Sequence, residues 1–365
     1  MSRCKLEEFI SYEQPSKYIV NSDQYDDSFE IPVLTAGKSF ILGYTDETNN
    51  IFDNLPVIIF DDFTTSVQFV DFPFKVKSSA MKLLKNTEQA DIKYCYYLLK
   101  FLQHTPENHK RQWLSATSQN IVELPTIEKQ KNIVRKLDKI LGVIDNQNKQ
   151  LELLDEAIKA RFVEMFGNEN NSKGWEIVNI EDVANVQVGV VIKPSQYYTD
   201  QYNGIKAFRS LNIGNGYIKD DDWVYFSKEG NKKNKKSILS TNDVLVVRSG
   251  APGTACVVTS EYAGSNAIDV IIAHPDFQKV DSHYLCTYTN MPHGKSQIIE
   301  GTGGAAQQHF NVGKYNKLKL MLPPLEYQKQ YVKFLEEIDK SRSRIQKSLE
   351  ASKELFDSLM QEYFG

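Results

Sequence analysis

Leu124-Pro125-Thr126-Ile127-Glu128-Lys129-Gln130-Lys131 and Leu322-Pro323-Pro324-Leu325-Glu326-Tyr327-Gln328-Lys329 are two versions of one phrase, 198 residues apart. The match runs without a gap to Phe166-Gly167 and Phe364-Gly365, with 15 of 44 positions identical. A period this long is no solenoid. It implies one unit used twice, a large region followed by a helix, over 1–167 and 168–365. Proline permits a helix to begin and forbids its continuation from upstream. Beyond the prolines, Leu137, Ile140, Ile144, Gln147, Leu151, Leu154, Ile158, Arg161 and Met165 step by three and four. Leu335, Ile338, Arg342, Ile345, Leu349, Ser352, Phe356, Leu359 and Tyr363 repeat the phase. Seven apolar residues in each set of nine make the 3.5-residue seam of a coiled coil. The plainer alternative lays each helix on its own domain. Helices of about 38 residues, however, run about 57 Å and outreach a domain of ordinary size.

The regions before the two helices differ in sequence but share a plan. Strand-like runs at 31–34, 40–44, 56–60, 67–70 and 74–77 precede a helical stretch at 91–103. Runs at 222–226, 243–248, 254–259 and 268–273 precede a helical stretch at 281–290, a glycine-rich loop at 300–308 and a strand at 317–321. Aromatic and β-branched residues dominate the strands. The expected fold class is α+β. The expected boundaries are 1–123, a helix over 124–167, a polar linker at 168–173, a second region at 174–321 and a second helix over 322–365.

The chain has 365 residues, which suits two or three domains, and 41% hydrophobic residues, enough for packed cores. No apolar run reaches membrane-spanning length, and the first residues lack a secretory pattern. Cys4, Cys95, Cys256 and Cys286 are scattered, so a disulfide framework and structural zinc are disfavoured and a cytoplasmic location is expected. The formal charge of −4 argues against indiscriminate binding of nucleic acid. The charge is uneven: −5 over 1–123 and +1 over 174–321, with five lysines between Lys228 and Lys236.

Catalytic patterns are missing. Ala36-Gly37-Lys38-Ser39 resembles the end of a phosphate-binding loop, but Pro32 stands where the leading glycine must be. The histidines lack metal-ligand spacing; His283 and His293 read as packing or surface residues. Asp61-Asp62 and Asp220-Asp221-Asp222 read as solvated turns. No adenine-methylating D/N-P-P-Y/F motif occurs. The expectation is a non-enzyme, with no catalytic residue, no metal and no cofactor in this chain.

Joined together, these features resemble the specificity subunit of type I DNA restriction–modification systems, over essentially the whole chain. The element Leu322-Pro323-Pro324-Leu325-Glu326-Tyr327-Gln328 and its copy at 124–130 carry the likeness. Pro32 to Gly37, Ile59 to Thr65, Asn242 to Leu245, Arg248-Ser249-Gly250 and Gly303 to Gln308 add to it. Thr126, where the second copy has Pro324, is a small departure, as is the little sequence ahead of the first region. The resemblance implies two α+β target recognition domains joined by two long helices in an antiparallel coiled coil, related by a pseudo-two-fold repeat. It implies double-stranded DNA as ligand, two methyltransferase subunits and motor–nuclease restriction subunits as partners, S-adenosylmethionine in the methyltransferase, and a role in phage defence.

The two regions differ, so two different half-sites and an asymmetric target are expected. Base reading needs donors and amides on loops. The candidates are Lys38, Ser39, Tyr44, Thr64 and Thr65 in the first region. In the second they are Arg209, Asn212, Arg248, Ser249, Thr302, Gln307 and Gln308. Lys232, Lys233, Lys235 and Lys236 are candidate phosphate contacts. Two rival readings are the recognition half of a single-chain methyltransferase–nuclease and a coiled-coil scaffold without a DNA role.

Overall fold

The computed structural model describes residues 2–36, 39–106, 111–302 and 310–365, with the side chains of Ser2, Gly301 and Thr302 left aside. The chain forms two compact units. The first combines residues 1–149 with 346–365; the second is the continuous stretch 150–345.

In the first unit the strands are β1 (Ser2–Lys5), β2 (Ile10–Glu13), β3 (Ile31–Leu34), β4 (Ile41–Thr45), β5 (Val57–Asp61), β6 (Val67–Val70), β7 (Lys75–Val76), β8 (Met81–Asn86) and β9 (Ile121–Leu124). Helices α1 (Ile92–Phe101) and α2 (Gln112–Ser115) lie between β8 and β9, and α3 (Ile127–Phe166) follows. One sheet runs β2-β8-β5-β6, a second β4-β3-β7, and β1 pairs with β9. One face of the larger sheet, with Val57, Ile59, Leu83 and Val70, closes over Phe52 and Phe74.

The second unit repeats the plan. It has β10 (Glu176–Asn179), β11 (Ala184–Val188), β12 (Tyr198–Thr199), β13 (Ile205–Phe208), β14 (Val224–Phe226), helix α4 (Lys228–Lys233), β15 (Val244–Val247), β16 (Ala255–Val257), β17 (Asn266–Ala267) and β18 (Val270–Pro275). Then come α5 (Ser282–Asn290), α6 (Pro292–Thr302), α7 (Val312–Asn316), β19 (Lys319–Leu322) and α8 (Leu325–Phe364). Its sheet order β11-β18-β15-β16 matches β2-β8-β5-β6, and β10 pairs with β19 as β1 does with β9. The parallel contact of β13 with β17 matches that of β3 with β7. The duplication read from the helices therefore extends through the domains. Successive side chains of a strand face opposite ways. In β15, Val244 and Val246 accordingly join the core that holds α5, while Leu245 and Val247 join the one around Phe208.

Several elements escaped the sequence reading. Strand β8 (MKLLKN) carries lysines that disguise it, because Lys82 is 1% exposed and paired with Asp62 at 3.2 Å. Asp61-Asp62 is accordingly buried rather than a solvated turn. Residues 300–302 end helix α6 instead of belonging to a loop.

Helices α3 and α8 pack together, antiparallel in each unit. In the first, Lys136 Nζ donates to the Tyr363 hydroxyl at 3.1 Å and Gln147 Nε2 to Ser348 Oγ at 2.8 Å. In the second, Arg342 meets Asp155 at 2.5 Å and the Tyr331 hydroxyl donates to the Ile158 carbonyl at 3.3 Å. All fourteen apolar seam residues are buried or half-buried.

The shared phrase has a structural meaning that its sequence did not reveal. Gln130 is fully buried; its Oε1 accepts from the Asp91 N–H at 2.8 Å, and its Nε2 donates to the Pro125 and Gln89 carbonyls. Gln328 is equally buried and makes the same three bonds, to Asp281 N–H, Pro323 and Lys279. Asp91 and Asp281 cap α1 and α5 with their carboxylates. Each helix ends against the other domain's helix: Phe364 lies 5.3 Å from Tyr94, and Phe166 lies 4.8 Å from Tyr284.

Candidate nucleic-acid interface

Each domain presents two hairpin connections, one from each sheet, and the candidate residues fall on equivalent ones. The β3–β4 turn, carrying Ser39, corresponds to the β13–β14 connection, carrying Arg209 and Asn212. The β5–β6 tip, with Thr64 and Thr65, corresponds to the β15–β16 tip, with Arg248 and Ser249.

In the first domain the β3–β4 turn is closed by Thr35, whose N–H donates to the Phe40 carbonyl at 2.9 Å and whose hydroxyl donates to the Ser39 carbonyl at 2.8 Å. Ser39 is exposed, as are Ile41 and Leu42; Tyr44 is half-buried. Lys38 lies outside the described residues. At the β5–β6 tip, Asp61 accepts from the Phe63 N–H at 2.8 Å and from the Thr64 hydroxyl at 2.7 Å. This folds the tip and leaves Thr64 exposed. Thr65 is turned inward with a φ of 57°. Its hydroxyl donates to the His104 carbonyl at 2.7 Å and accepts from the His104 N–H at 3.0 Å. Thr65 therefore stitches the tip to the segment after α1. Asp62 adds a second stitch, accepting the N–H of Trp113 at 2.8 Å.

In the second domain Asn212 is fully buried; its Oδ1 accepts from the Arg209 N–H at 2.9 Å and its Nδ2 donates to the Asp221 carbonyl at 2.8 Å. The Arg209 guanidinium meets Asp222 at 3.1 Å. Both residues shape the 209–223 connection. The Lys206 ammonium, 2.6 Å from Asp220 Oδ1, holds that carboxyl below the usual carboxylate range, helped by the Trp223 N–H. Arg248 is also engaged: its guanidinium binds Asp269, and its Nε donates to the Phe310 carbonyl at 3.1 Å. The Phe310 N–H donates back to the Arg248 carbonyl at 3.1 Å. These bonds hold Phe310 beside the β15–β16 tip. The first domain fastens its own tip to the segment before α2 in the corresponding place. Gln307 and Gln308 lie outside the described residues, as does the side chain of Thr302.

A cleft of about 430 Å³ opens between the two connections of the second domain. Ser210, Leu211, Asn215, Tyr217, Lys219 and Ser249 line it. Leu211, Asn215, Tyr217 and Lys219 are exposed. Gly253 turns with a φ of 81° under the tip, and a Cβ there would come 2.7 Å from Ile298. Of these lining residues only Ser249 was singled out from sequence. Asn215, Tyr217 and Lys219 were missed, although Gly214 and Gly216 around them mark a loop. Ile192 and Tyr202, 78% and 87% exposed between β11 and β13, are bare apolar groups that the sequence reading also passed over.

The lysine-rich segment stands on a different element, α4 and the turn after it. Lys232, Lys233, Lys235 and Lys236 are all exposed, and none makes an ion pair among the described residues. A buried network fixes their backbone: Ser237 Oγ donates to Asn266 Oδ1 at 2.7 Å, and Asn266 Nδ2 to Asn231 Oδ1 at 2.7 Å. Such a held cluster of unneutralised lysines suits a phosphate backbone. Burial pushes the Cys286 thiol up to about 12 and raises those of Cys95 and Cys256 as well, so these thiols stay protonated. No group of three or more possible metal ligands occurs among the described residues, and no helix there is long and apolar enough to cross a membrane.

Comparison with known proteins gives the family. Residues 172–352 match the type I restriction modification DNA specificity domain. The type I restriction enzyme EcoR124I/EcoR124II specificity subunit of Escherichia coli is 45% identical over 161 residues, which is 40% of this chain and 40% of that protein. The MjaVIII specificity subunit of Methanocaldococcus jannaschii is 23% identical over 288 residues, 72% of this chain and 67% of that one. Among solved structures, the type I system S subunit from M. genitalium aligns over 100% of this chain and 96% of its own with a TM-score of 0.63 at 12% identity. At that identity the likeness speaks for the fold. Residues 172–352 thus belong to the type I restriction–modification DNA specificity family, and the chain that carries them has the sequence kinship and the fold of a specificity subunit.

Proposed function

We propose that this chain is the DNA-reading subunit of a type I restriction–modification complex, recognising a bipartite, asymmetric target. One observation carries the reading most. Two domains of the same strand topology, joined to their helices by the same buried glutamine, differ in the connections that would face DNA. Identical scaffolds with different tips suit two different half-sites.

In this reading 1–123 and 174–321 are the target recognition domains, and the helices at 124–167 and 322–365 set their separation. Base contacts come from the hairpin tips and the segments stitched to them. Ser39, Tyr44, Thr64 and Lys38 serve the first half-site. Ser249, Asn215, Tyr217, Lys219, Thr302, Gln307 and Gln308 serve the second. Thr65, Arg209, Asn212 and Arg248, already bonded within the chain, hold these tips in shape. Lys232, Lys233, Lys235 and Lys236 engage phosphates. The chain carries no catalytic group of its own. Two methyltransferase subunits, supplied with S-adenosylmethionine, and the motor–nuclease subunits perform the chemistry in the cytoplasm. Two copies of one partner would meet the repeated exposed positions Glu128, Lys131 and Arg135, and Glu326, Lys329 and Lys333. A net charge of −4 leaves the lone subunit with little hold on phosphates, so tight binding comes with the partners.

Long-read methylome sequencing of cells with and without this chain tests the reading. The expected result is a bipartite motif, methylated only when the chain is present. Identical methylomes in the two strains would refute it.

A further inference from the structure

We propose that Gln130 and Gln328 are positioning residues that fix the angle at which each recognition domain stands on its long helix, and through it the number of base pairs between half-sites. The inference rests on the chain's being a specificity subunit, and adds to that reading what sets its spacer. Each domain passes into its helix through two residues only: Pro125 and Thr126 between β9 and α3, Pro323 and Pro324 between β19 and α8. A link this short leaves a bend whose direction must be set by something else. In both copies one buried amide sets it.

The chemistry of the joint is specific to glutamine. Its oxygen accepts the N–H of the residue that caps the domain helix, at 2.8 Å in both copies. Its nitrogen divides two hydrogens between the proline carbonyl, 2.8 Å away in both copies, and the carbonyl two residues ahead of the cap, 3.1 and 3.2 Å away. Both amide hydrogens and one lone pair of the oxygen are used, and the side chain is 0% exposed in each case. One amide therefore ties together the first turn of the long helix, the end of the strand pair and the start of α1 or α5. Around the joint the copies differ: Gln89-Ala90 in one, Lys279-Val280 in the other. The glutamine and the capping aspartate are kept while the residues between them change. Methionine at either position keeps the volume and loses every bond. Glutamate keeps the acceptor but sets an oxygen against two carbonyls.

The lever is long. Over the 40 residues of α3, about 60 Å, a tilt of roughly 5° moves the far end by about 5 Å. That exceeds the axial rise of one base pair, about 3.4 Å.

The test uses Gln130→Met, Gln328→Met and Gln130→Glu in the full chain with its methyltransferase. Hydrogen exchange reads the joint itself: faster exchange of the Asp91 amide in the Gln130 variants, and of Asp281 in Gln328→Met, is expected. Methylome sequencing reads the consequence. Both half-site blocks should be kept, while the preference for the native spacer over one a base pair longer or shorter falls about tenfold. Variants that expose the amides yet hold the spacer as strictly as the parent would overturn the inference, as would unchanged exchange. A variant that folds too poorly to methylate is replaced by Gln130→Glu, read by the same two measurements. Failure of the underlying reading looks different: the parent chain itself would give no bipartite motif.

Discussion

Lys82 sits inside a sheet with its ammonium 3.2 Å from Asp62 and 5.5 Å from the ring of Tyr12, both partners of the ion pair out of contact with water. Removing one member of such a pair strands the other charge. Lys82→Met or Asp62→Asn should therefore each cost about 3–5 kcal/mol in urea denaturation, and the double variant clearly less than their sum. Equal additivity would mean that the two charges do not depend on each other. Glu47 has the opposite exposure to acid. Burial is the largest single influence on its carboxyl and raises it. Lys75 at 3.0 Å and the N–H groups of Ser22 and Asn21 outweigh burial and hold it below the usual range. A depressed folded pKa contributes stability above the unfolded value, about 4.3, and that stability is lost as pH falls through the folded value. Glu47→Gln should then flatten the acid limb of the stability curve below about pH 4.3, while a parallel curve merely shifted down would contradict the linkage. The same residues explain what was hidden. Lysine is a residue type that is mostly exposed, yet Lys75 and Lys82 are each buried partners of an ion pair; Arg248, Asn212 and Thr65 read as free donors, yet each is spent inside its loop. Residue type states what a side chain can bond, while only the fold says whether the bond is already made.

At the scale of the element, the long helices were legible because proline, a 3.5-residue stripe and the absence of breakers all agree. The domains were less so, since their strands are short and turn on pairings distant in sequence, as with β1 and β9. Within the seam, Gln147 is 8% exposed and gives one bond to Ser348, while its Oε1 has no partner among the described residues. A buried oxygen left unsatisfied costs about 1–3 kcal/mol. Gln147→Leu should therefore raise the thermal midpoint, by an amount worth about 1 kcal/mol, at the expense of the register that a polar layer enforces. A lowered midpoint would show that the amide is better satisfied than its neighbours suggest.

For the molecule as a whole, the proposed reading makes the helix pair a ruler. Four residues inserted after Gln147, matched by four beside Ile345, add about one turn to each helix, roughly 6 Å, and nearly keep the seam phase. The methylated motif should retain both half-sites and gain one or two base pairs of spacer. A motif of unchanged length would leave the helices as a mere tether.

The division of the chain also bears on how it is made. The second unit is one unbroken stretch, 150–345, and can close as soon as that stretch is synthesised. The first unit begins earlier but waits for residues 346–365, because Phe356 packs on Tyr97 and Phe364 on Tyr94 and Phe101. At roughly 5–20 residues per second, the nascent first domain spends tens of seconds with an uncovered aromatic face on α1. The half of the protein that leaves the ribosome first is thus the last to be finished, and a chain lacking residues 346–365 would hold one finished unit and one incomplete one.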